Sequence, residues 1–287
     1  MSKKIKLIAD AGSTKTDWAL IGADGRLERI STQGINPFHQ SPEVIQEICR
    51  TELLPQLPVS PRSVGQLYFY GSGCTVEKIS VVKEALKKNF PALYELEVDS
   101  DLLGAARAVC GHDEGLACIL GTGSNACLYN GQTIEHHIPP LGYILGDEGS
   151  GTAIGKSFLN GIYKGSLPPQ LRTEYETFSG LTLANVIDKV YRQPLANRFL
   201  ASVSLFVARH LDVPELSQMV VQNFQLFLQN NIKPYGRDDL RLGVVGGLST
   251  YYRTQLEAAA AAENIRLGQL MKNPIEGLLN YHLYRKR

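Results

Sequence analysis

The chain has 287 residues, 44% hydrophobic and 20% charged, with 29 basic against 28 acidic side chains and a formal net charge of +1. That length exceeds one usual compact domain, the even charge excludes a basic field for a nucleic-acid backbone, and no run of 18 apolar residues is present to span a membrane. The five cysteines (Cys49, Cys74, Cys110, Cys118 and Cys127) are odd in number and lack a C-x-x-C pair, which points to buried thiols in a reducing cytoplasm rather than to disulfides or a zinc framework.

At the N-terminus the apolar run behind Lys3 and Lys4 meets Asp10 at once, so it predicts a first strand and not a signal peptide. Gly12-Ser13-Thr14 breaks that strand, and Asp24-Gly25 marks a hairpin. Ser41-Pro42-Glu43 opens a helix that presents Val44, Ile45, Ile48 and Cys49 on one face. A strand over 66–70 ends in Gly71-Ser72-Gly73, and a helix over 76–89 follows. A further strand, 94–98, leads through Asp99-Ser100-Asp101 into a short helix, 102–109.

The opening pattern then returns. A strand over 116–120, the loop Gly121-Thr122-Gly123-Ser124, a strand over 126–129 and the turn Asn130-Gly131 repeat it about 110 residues on. A duplication at that spacing predicts two similarly folded halves facing one another. From about 150 to 270 the pattern is largely helical, notably 195–211 and 214–232, where Met219, Phe224 and Phe227 are core filler. One more strand, 241–245, runs into Gly246-Gly247-Leu248-Ser249 and a helix over 254–264. Asn273-Pro274-Ile275-Glu276 is a capping box for the last helix, and the basic Tyr284–Arg287 reads as a solvated tail.

Three glycine loops therefore follow strands, at 11–14, 121–124 and 246–249. Glycine lets the backbone approach closely, and its N–H groups with Ser and Thr hydroxyls can hold phosphate oxygens, although a tight turn alone also requires glycine. No Walker string G-x-x-x-x-G-K-[ST] is present. Gly121–Ala126 matches a Rossmann fingerprint, yet a strand follows it where a helix is required, so that reading fails. Carboxylates sit at the strand ends: Asp10 before the first loop, Asp101 at the start of a helix, and Asp147-Glu148 between glycines. Such groups suit the metal and base roles of phosphoryl transfer, while helix capping remains the alternative for Asp101 and Asp147. His136 and His137 point to opposite faces of an extended segment and read as ordinary histidines, and Trp18 reads as core.

The segments LIADAGSTKTDWALIGADG (7–25), CILGTGSNACLYNG (118–131), LGYILGDEGSG (141–151) and LRLGVVGGLS (240–249) resemble the N-acetylglucosamine kinase group of the BadF/BadG/BcrA/BcrD ATPase family, in the actin/Hsp70/hexokinase superfamily. The resemblance implies an α/β, ribonuclease H-like fold of two domains with mixed sheets and ATP-Mg²⁺ in a cleft between them. One domain would cover 1–110 with the last helix, 273–287, packed back on it; the other would cover 111–272 with a helical insertion. It implies that Asp10 positions hydrated Mg²⁺, with Gly12, Ser13, Thr14 and Lys15 near the phosphates. Gly121, Thr122, Gly123 and Ser124 form the second phosphate loop, and Gly246 and Gly247 the adenosine motif. Asp101 is the general base, and Asn36, Ser72, Gly142 and Asp147 lie on the sugar side. Leu141 stands where vertebrate-type enzymes carry tryptophan, which replaces an aromatic wall of the sugar pocket with an aliphatic one. The implied activity is a cytoplasmic, ATP-dependent kinase of a small amino sugar, with no nucleic-acid or membrane partner and with a homodimer left open. A dehydratase-activating ATPase and a non-catalytic sugar sensor are the alternative readings.

Overall fold

A computed structural model describes residues 5–12 and 14–283; Ser13 and the Tyr284–Arg287 tail lie outside the described residues. The chain divides into two compact units. Unit 1 takes the residues up to His112, the turn Gly131–Thr133 and the residues from Pro274; unit 2 takes Asp113–Asn130 and Ile134–Asn273.

Unit 1 begins with β1 (Ile5–Ala11), β2 (Lys15–Ile21) and β3 (Leu27–Gln33), an antiparallel meander. Helix α1 (Pro42–Ile48), β4 (Val64–Gly71), α2 (Ile79–Asn89), β5 (Glu95–Ser100) and α3 (Asp101–Cys110) follow. Strands β4 and β5 add parallel to β1, giving the order β3-β2-β1-β4-β5. Interior strand β4 is buried along nearly its whole length, as a strand covered on both faces requires. Trp18, Leu67, Phe69, Ile45, Leu86 and Phe90 form the core on one side, and the Trp18 indole donates to Thr32 Oγ1 at 3.1 Å.

Unit 2 repeats this plan. Strands β6 (Gly115–Leu120), β7 (Ser124–Tyr129) and β8 (Ile134–Ile138) are an antiparallel meander, and β9 (Leu242–Val245) and β10 (Leu267–Met271) add parallel, in the order β10-β9-β6-β7-β8. The repeat in the residues is thus a repeat in strand order. Between β8 and β9 the chain forms α4 (Gly142–Leu145), α5 (Gly151–Lys164), α6 (Pro169–Ser179), α7 (Leu183–Tyr191), α8 (Ala196–Val207) and α9 (Pro214–Asn231). Helices α10 (Leu248–Tyr251) and α11 (Arg253–Ala262) lie between β9 and β10. Phe158, Phe206, Phe224, Phe227 and Leu256 fill the core of this unit. Among the described residues no helix is long and apolar enough to cross a membrane.

Some local expectations give way. Val44 is 46% exposed, so the inner face of α1 is Ile45 and Ile48. The second helix starts only at Ile79, leaving Val76 in the preceding turn and 87% exposed. The cap of α3 is Ser100, whose Oγ accepts from Leu103 N–H at 3.2 Å, so Asp101 is not needed as a cap. Four cysteines are buried and unbridged, and Cys110 is partly exposed.

The last helix, α12 (Ile275–Leu283), belongs to unit 1. It packs on α3 through small residues: a β-carbon on Gly277 would stand 2.4 Å from the Ala108 carbonyl oxygen and 2.7 Å from its Cα. Glu276 pairs with Arg29, and Lys6 Nζ donates to the His282 carbonyl at 2.9 Å. Alanine at position 277 gains about 1 kcal/mol in helix propensity, but overpacking against backbone costs about 1–3 kcal/mol. Gly277→Ala is therefore expected to lower the urea midpoint of unfolding; an unchanged or higher midpoint would show that the two helices can move apart freely.

Candidate active site

In unit 1 the site residues expected from the sequence gather at the carboxyl ends of β1, β4 and β5, the edge where open α/β sheets place ligands. Ala11 and Ser72 tie two of these ends together, Ser72 N–H donating to Ala11 C=O at 2.8 Å. The turn after β1 closes with Gly12 N–H on Lys15 C=O at 2.9 Å, and Thr14 C=O accepts from Gly34 N–H at 3.0 Å. Asp10, at the end of β1, faces Asp17 across the β1–β2 ladder. Its carboxyl is pushed up to about 7 by burial first, then by the charges of Asp101 and Asp17, with Lys15 opposing. Lys15 is itself paired with Asp17 at 2.7 Å, so it neutralises the site only in part.

Asp101 opens α3. Burial raises its pKa, opposed by the backbone N–H groups of Leu102 and of Asp101 itself and by the Ser72 hydroxyl. Ser72 is thus held by its N–H to β1 and by its side chain to Asp101. Next to it, Gly73 has φ +77° and presses on Asn36, where a β-carbon would lie 2.1 Å from Oδ1. Asn36 is oriented by its neighbours, Oδ1 accepting from Phe38 N–H at 2.9 Å and its own N–H donating to Gln40 Oε1 at 2.8 Å. Unit 1 therefore brings together Asp10, Asp101, Ser72 and Asn36. Cys74, buried beside them, has its thiol pushed up to about 12 by burial and by Asp101 and Asp99, and so cannot act as a nucleophile at neutral pH.

Unit 2 assembles the second group. The Gly121–Ser124 loop is braced by the start of α5: Gly151 N–H donates to Gly121 C=O at 2.8 Å, and Thr152 donates to Thr122 C=O by its N–H at 3.2 Å and its hydroxyl at 2.6 Å. Within the loop, Gly121 N–H donates to Gly123 C=O at 2.9 Å, which closes the turn. Asp147, at φ +59°, lies against this loop, its Oδ1 accepting from Ser124 N–H at 3.4 Å. Burial raises the Asp147 carboxyl, with the Ser124 N–H and Lys156 opposing. Glu148 turns away to accept from the Asn230 and Asn231 amides, a structural role. Gly246 has φ +126° and a β-carbon there would meet Leu120 C=O at 2.1 Å, so only glycine lets the third loop reach the β6 end. Leu141 is 63% exposed at φ +59°, and Gly142 starts the one-turn α4. His137 bonds Asn125 at 2.8 Å, away from any metal-like grouping. The bracing by Ser150-Gly151-Thr152 was not legible in the residues, although their place after GDEG is a helix-start signal.

The raised Asp10 carboxyl beside two other carboxylates fits a cation partner. Among the described residues no three His, Cys, Asp or Glu side chains converge as a closed metal cage.

No protein-family model matches the chain. It is similar to the structure of a candidate N-acetylglucosamine kinase from Porphyromonas gingivalis, at 45% identity over 96% of this chain and 98% of that one, with a TM-score of 0.91. A candidate N-acetylglucosamine kinase from Chromobacterium violaceum shares the fold at 20% identity, covering 98% and 99% of the two chains, TM-score 0.72. So does a ROK hexokinase from Thermus thermophilus, at 13% identity over 97% of each chain, TM-score 0.51. The duplicated sheets and their loops define an α/β protein of the actin/hexokinase type. Within that class, the chain belongs with the candidate N-acetylglucosamine kinases, a family of ATP-using sugar kinases.

The Asp10 carboxyl has a direct consequence for stability. Folding raises it from 3.8 to about 7, so between those values the folded chain holds a proton that the unfolded chain has lost. Its stabilisation is complete below pH 3.8 and is lost as pH rises toward 7. Asp10→Asn is expected to abolish that fall and to exceed the parent in stability at pH 8, by as much as about 4 kcal/mol, with little difference near pH 4. Urea unfolding at pH 4, 6 and 8 without Mg²⁺ checks this; a parent–variant difference independent of pH would contradict it.

Proposed function

We propose that the enzyme transfers the γ-phosphoryl group of ATP to a hydroxyl of N-acetylglucosamine or a closely related amino sugar, with Asp101 as the general base. The observation that carries this reading is Asp101 itself: a half-buried carboxylate at a strand–helix junction, bonded by Ser72 and within the field of Asp10. Burial makes it a stronger base than a free aspartate, and it takes the proton of the sugar hydroxyl as that oxygen bonds to phosphorus. The bond from phosphorus to the β,γ-bridging oxygen breaks, and ADP leaves with the electron pair. Asp10 would hold hydrated Mg²⁺, which when bound neutralises charge on the β- and γ-phosphates. The Gly121–Ser124 loop is suited to the phosphate oxygens, and Asn36 and Asp147 to the ring hydroxyls. The 45% identity to a candidate N-acetylglucosamine kinase supports the amino sugar as acceptor.

Asp101→Asn is expected to lower kcat by about 10²–10⁴ while ADP binding stays near the parental value; a rate within a few-fold of the parent would remove Asp101 from the role. In a panel of N-acetylglucosamine, N-acetylmannosamine, glucosamine and glucose, coupled to ADP release, an acetamido sugar is expected to give the highest kcat/KM. Preference for glucose would overturn the acceptor assignment. The exposed aliphatic Leu141 offers less flat surface than tryptophan, so Leu141→Trp is expected to sharpen discrimination within the panel, by roughly 10-fold or more.

A further inference from the structure

The turn that leads into Asp147 has little packing of its own to hold it. Residues 140–147 fold back on themselves: Gly146 N–H donates to Gly142 C=O at 2.8 Å, and Asp147 N–H to Pro140 C=O at 3.2 Å. Leu141 and Asp147 both hold φ +59°, a backbone conformation that costs energy in any residue but glycine. None of the α4 residues is buried, and Ile144 and Leu145 are 74% and 75% exposed. Tyr143 alone of the four packs against the core of the unit. Behind α4 lies a cavity of about 580 Å³, with Tyr143 and Ile144 on one wall and Val186, Ile187 and Val190 of α7 on another. Helix α7 therefore does not back the turn, and a tie from elsewhere is needed to keep it in place.

That tie comes from α5. Lys156 Nζ donates to Tyr143 C=O at 2.5 Å. The carbonyl is one that the short helix cannot satisfy itself, because Gly146 N–H is taken by Gly142 and Asp147 N–H by Pro140. The positions three and four away from Lys156 on α5 are Thr152, Ala153, Leu159 and Asn160, so no carboxylate competes there for the ammonium group. The same charge reaches Asp147. Burial raises that carboxyl and Glu148 adds to the rise, whereas the Ser124 N–H and Lys156 lower it. The Asp147 carboxyl itself lies over the second glycine loop, since a β-carbon on Gly123 would stand 3.0 Å from Oδ2. One ammonium group thus bonds the turn ahead of Asp147 and favours the ionised form of Asp147.

Resting on the kinase reading above, we infer that Lys156 is a positioning residue for the sugar side: its bond to Tyr143 C=O keeps Gly142 and Asp147 in the arrangement that receives the acceptor. The Gly121–Ser124 loop does not depend on this bond, because Gly151 and Thr152 brace it separately. When only a fraction of molecules keeps a binding segment in place, apparent affinity falls by that fraction. A hydrogen bond from a charged donor corresponds to roughly 10- to 150-fold in such an equilibrium.

The test is Lys156→Met, which keeps most of the apolar stem and removes the ammonium group. It combines steady-state kinetics on the preferred sugar of the panel with ADP binding by calorimetry. KM for the sugar is expected to rise roughly 10- to 150-fold, while ADP affinity stays within about threefold of the parent. Removing a cation raises a nearby carboxyl, so the acid limb of kcat/KM for the sugar should move to higher pH in the variant. A loss of packing alone would not move that limb. A sugar KM within about threefold of the parent, an equal weakening of ADP, or an unmoved acid limb would each overturn the inference while leaving the kinase reading intact. A parent enzyme that phosphorylates no sugar of the panel would instead refute the kinase reading.

Discussion

The Tyr70 hydroxyl is the point on which the rest of unit 1 depends. It accepts from Arg107 Nη1 at 2.6 Å and is bonded to His282 Nε2 at 2.9 Å, so β4, α3 and α12 meet at one oxygen. Arg107 is 8% exposed, and it is matched by Glu97 from β5 and by the Gln132 carbonyl at 3.2 Å. Its guanidinium also lies over the Tyr281 ring at 4.9 Å, and His282 stacks on Tyr68 at 3.8 Å. A buried cation of this kind is tolerable only while its partners stay in place, and losing one leaves a charge stranded away from water. The same tyrosine sets the site. A β-carbon on Gly104 would fall 2.7 Å from Tyr70 Cβ, so α3 lies flush against it three residues after Asp101. Tyr70 also directly precedes the Gly71-Ser72 loop, and Ser72 bonds Asp101. Asp101 is therefore placed by an arrangement of aromatic and cationic groups several residues behind it.

Unit 2 shows what the duplication allows. Both units use one central strand with an antiparallel pair on one side and a parallel pair on the other. At the ends of β4 and β5, unit 1 carries Ser72 and Asp101; at the equivalent ends of β9 and β10, unit 2 carries Gly246-Gly247 and Lys272. Equivalent positions of one scaffold thus carry different groups, a hydroxyl and a carboxylate in the first unit and two glycines with a lysine in the second.

How much of this could be read in advance follows from the range of each interaction. The meanders, their glycine loops and the repeat at about 110 residues are local patterns, and the strand order reflects them. β10 was not anticipated, because LGQLM has glycine and glutamine where alternation is sought, is only partly buried, and breaks register against β9 between Leu267 and Leu270. The contact of Tyr70 with His282 spans 212 positions and leaves no local mark. For Asp101, the residue string left capping and catalysis equally open; in three dimensions the Ser100 hydroxyl takes the capping role. Leu141 looked like a simple change of side chain, whereas its left-handed backbone at the entry to α4 depends on the surrounding turn and could not be read from residue type.

The place of α12 in chain order has a bearing on synthesis. Unit 2 is contained between Asp113 and Asn273, so a growing polypeptide completes the second unit while the first still lacks a helix. Until the ribosome has passed residue 283, Tyr70 has no His282 to bond, Ala108 has no Gly277 against it, and the apolar face of α3 is open to water. Vectorial folding normally favours the N-terminal half. Here that order is reversed for the final step, and the half that carries Asp10 and Asp101 is finished last.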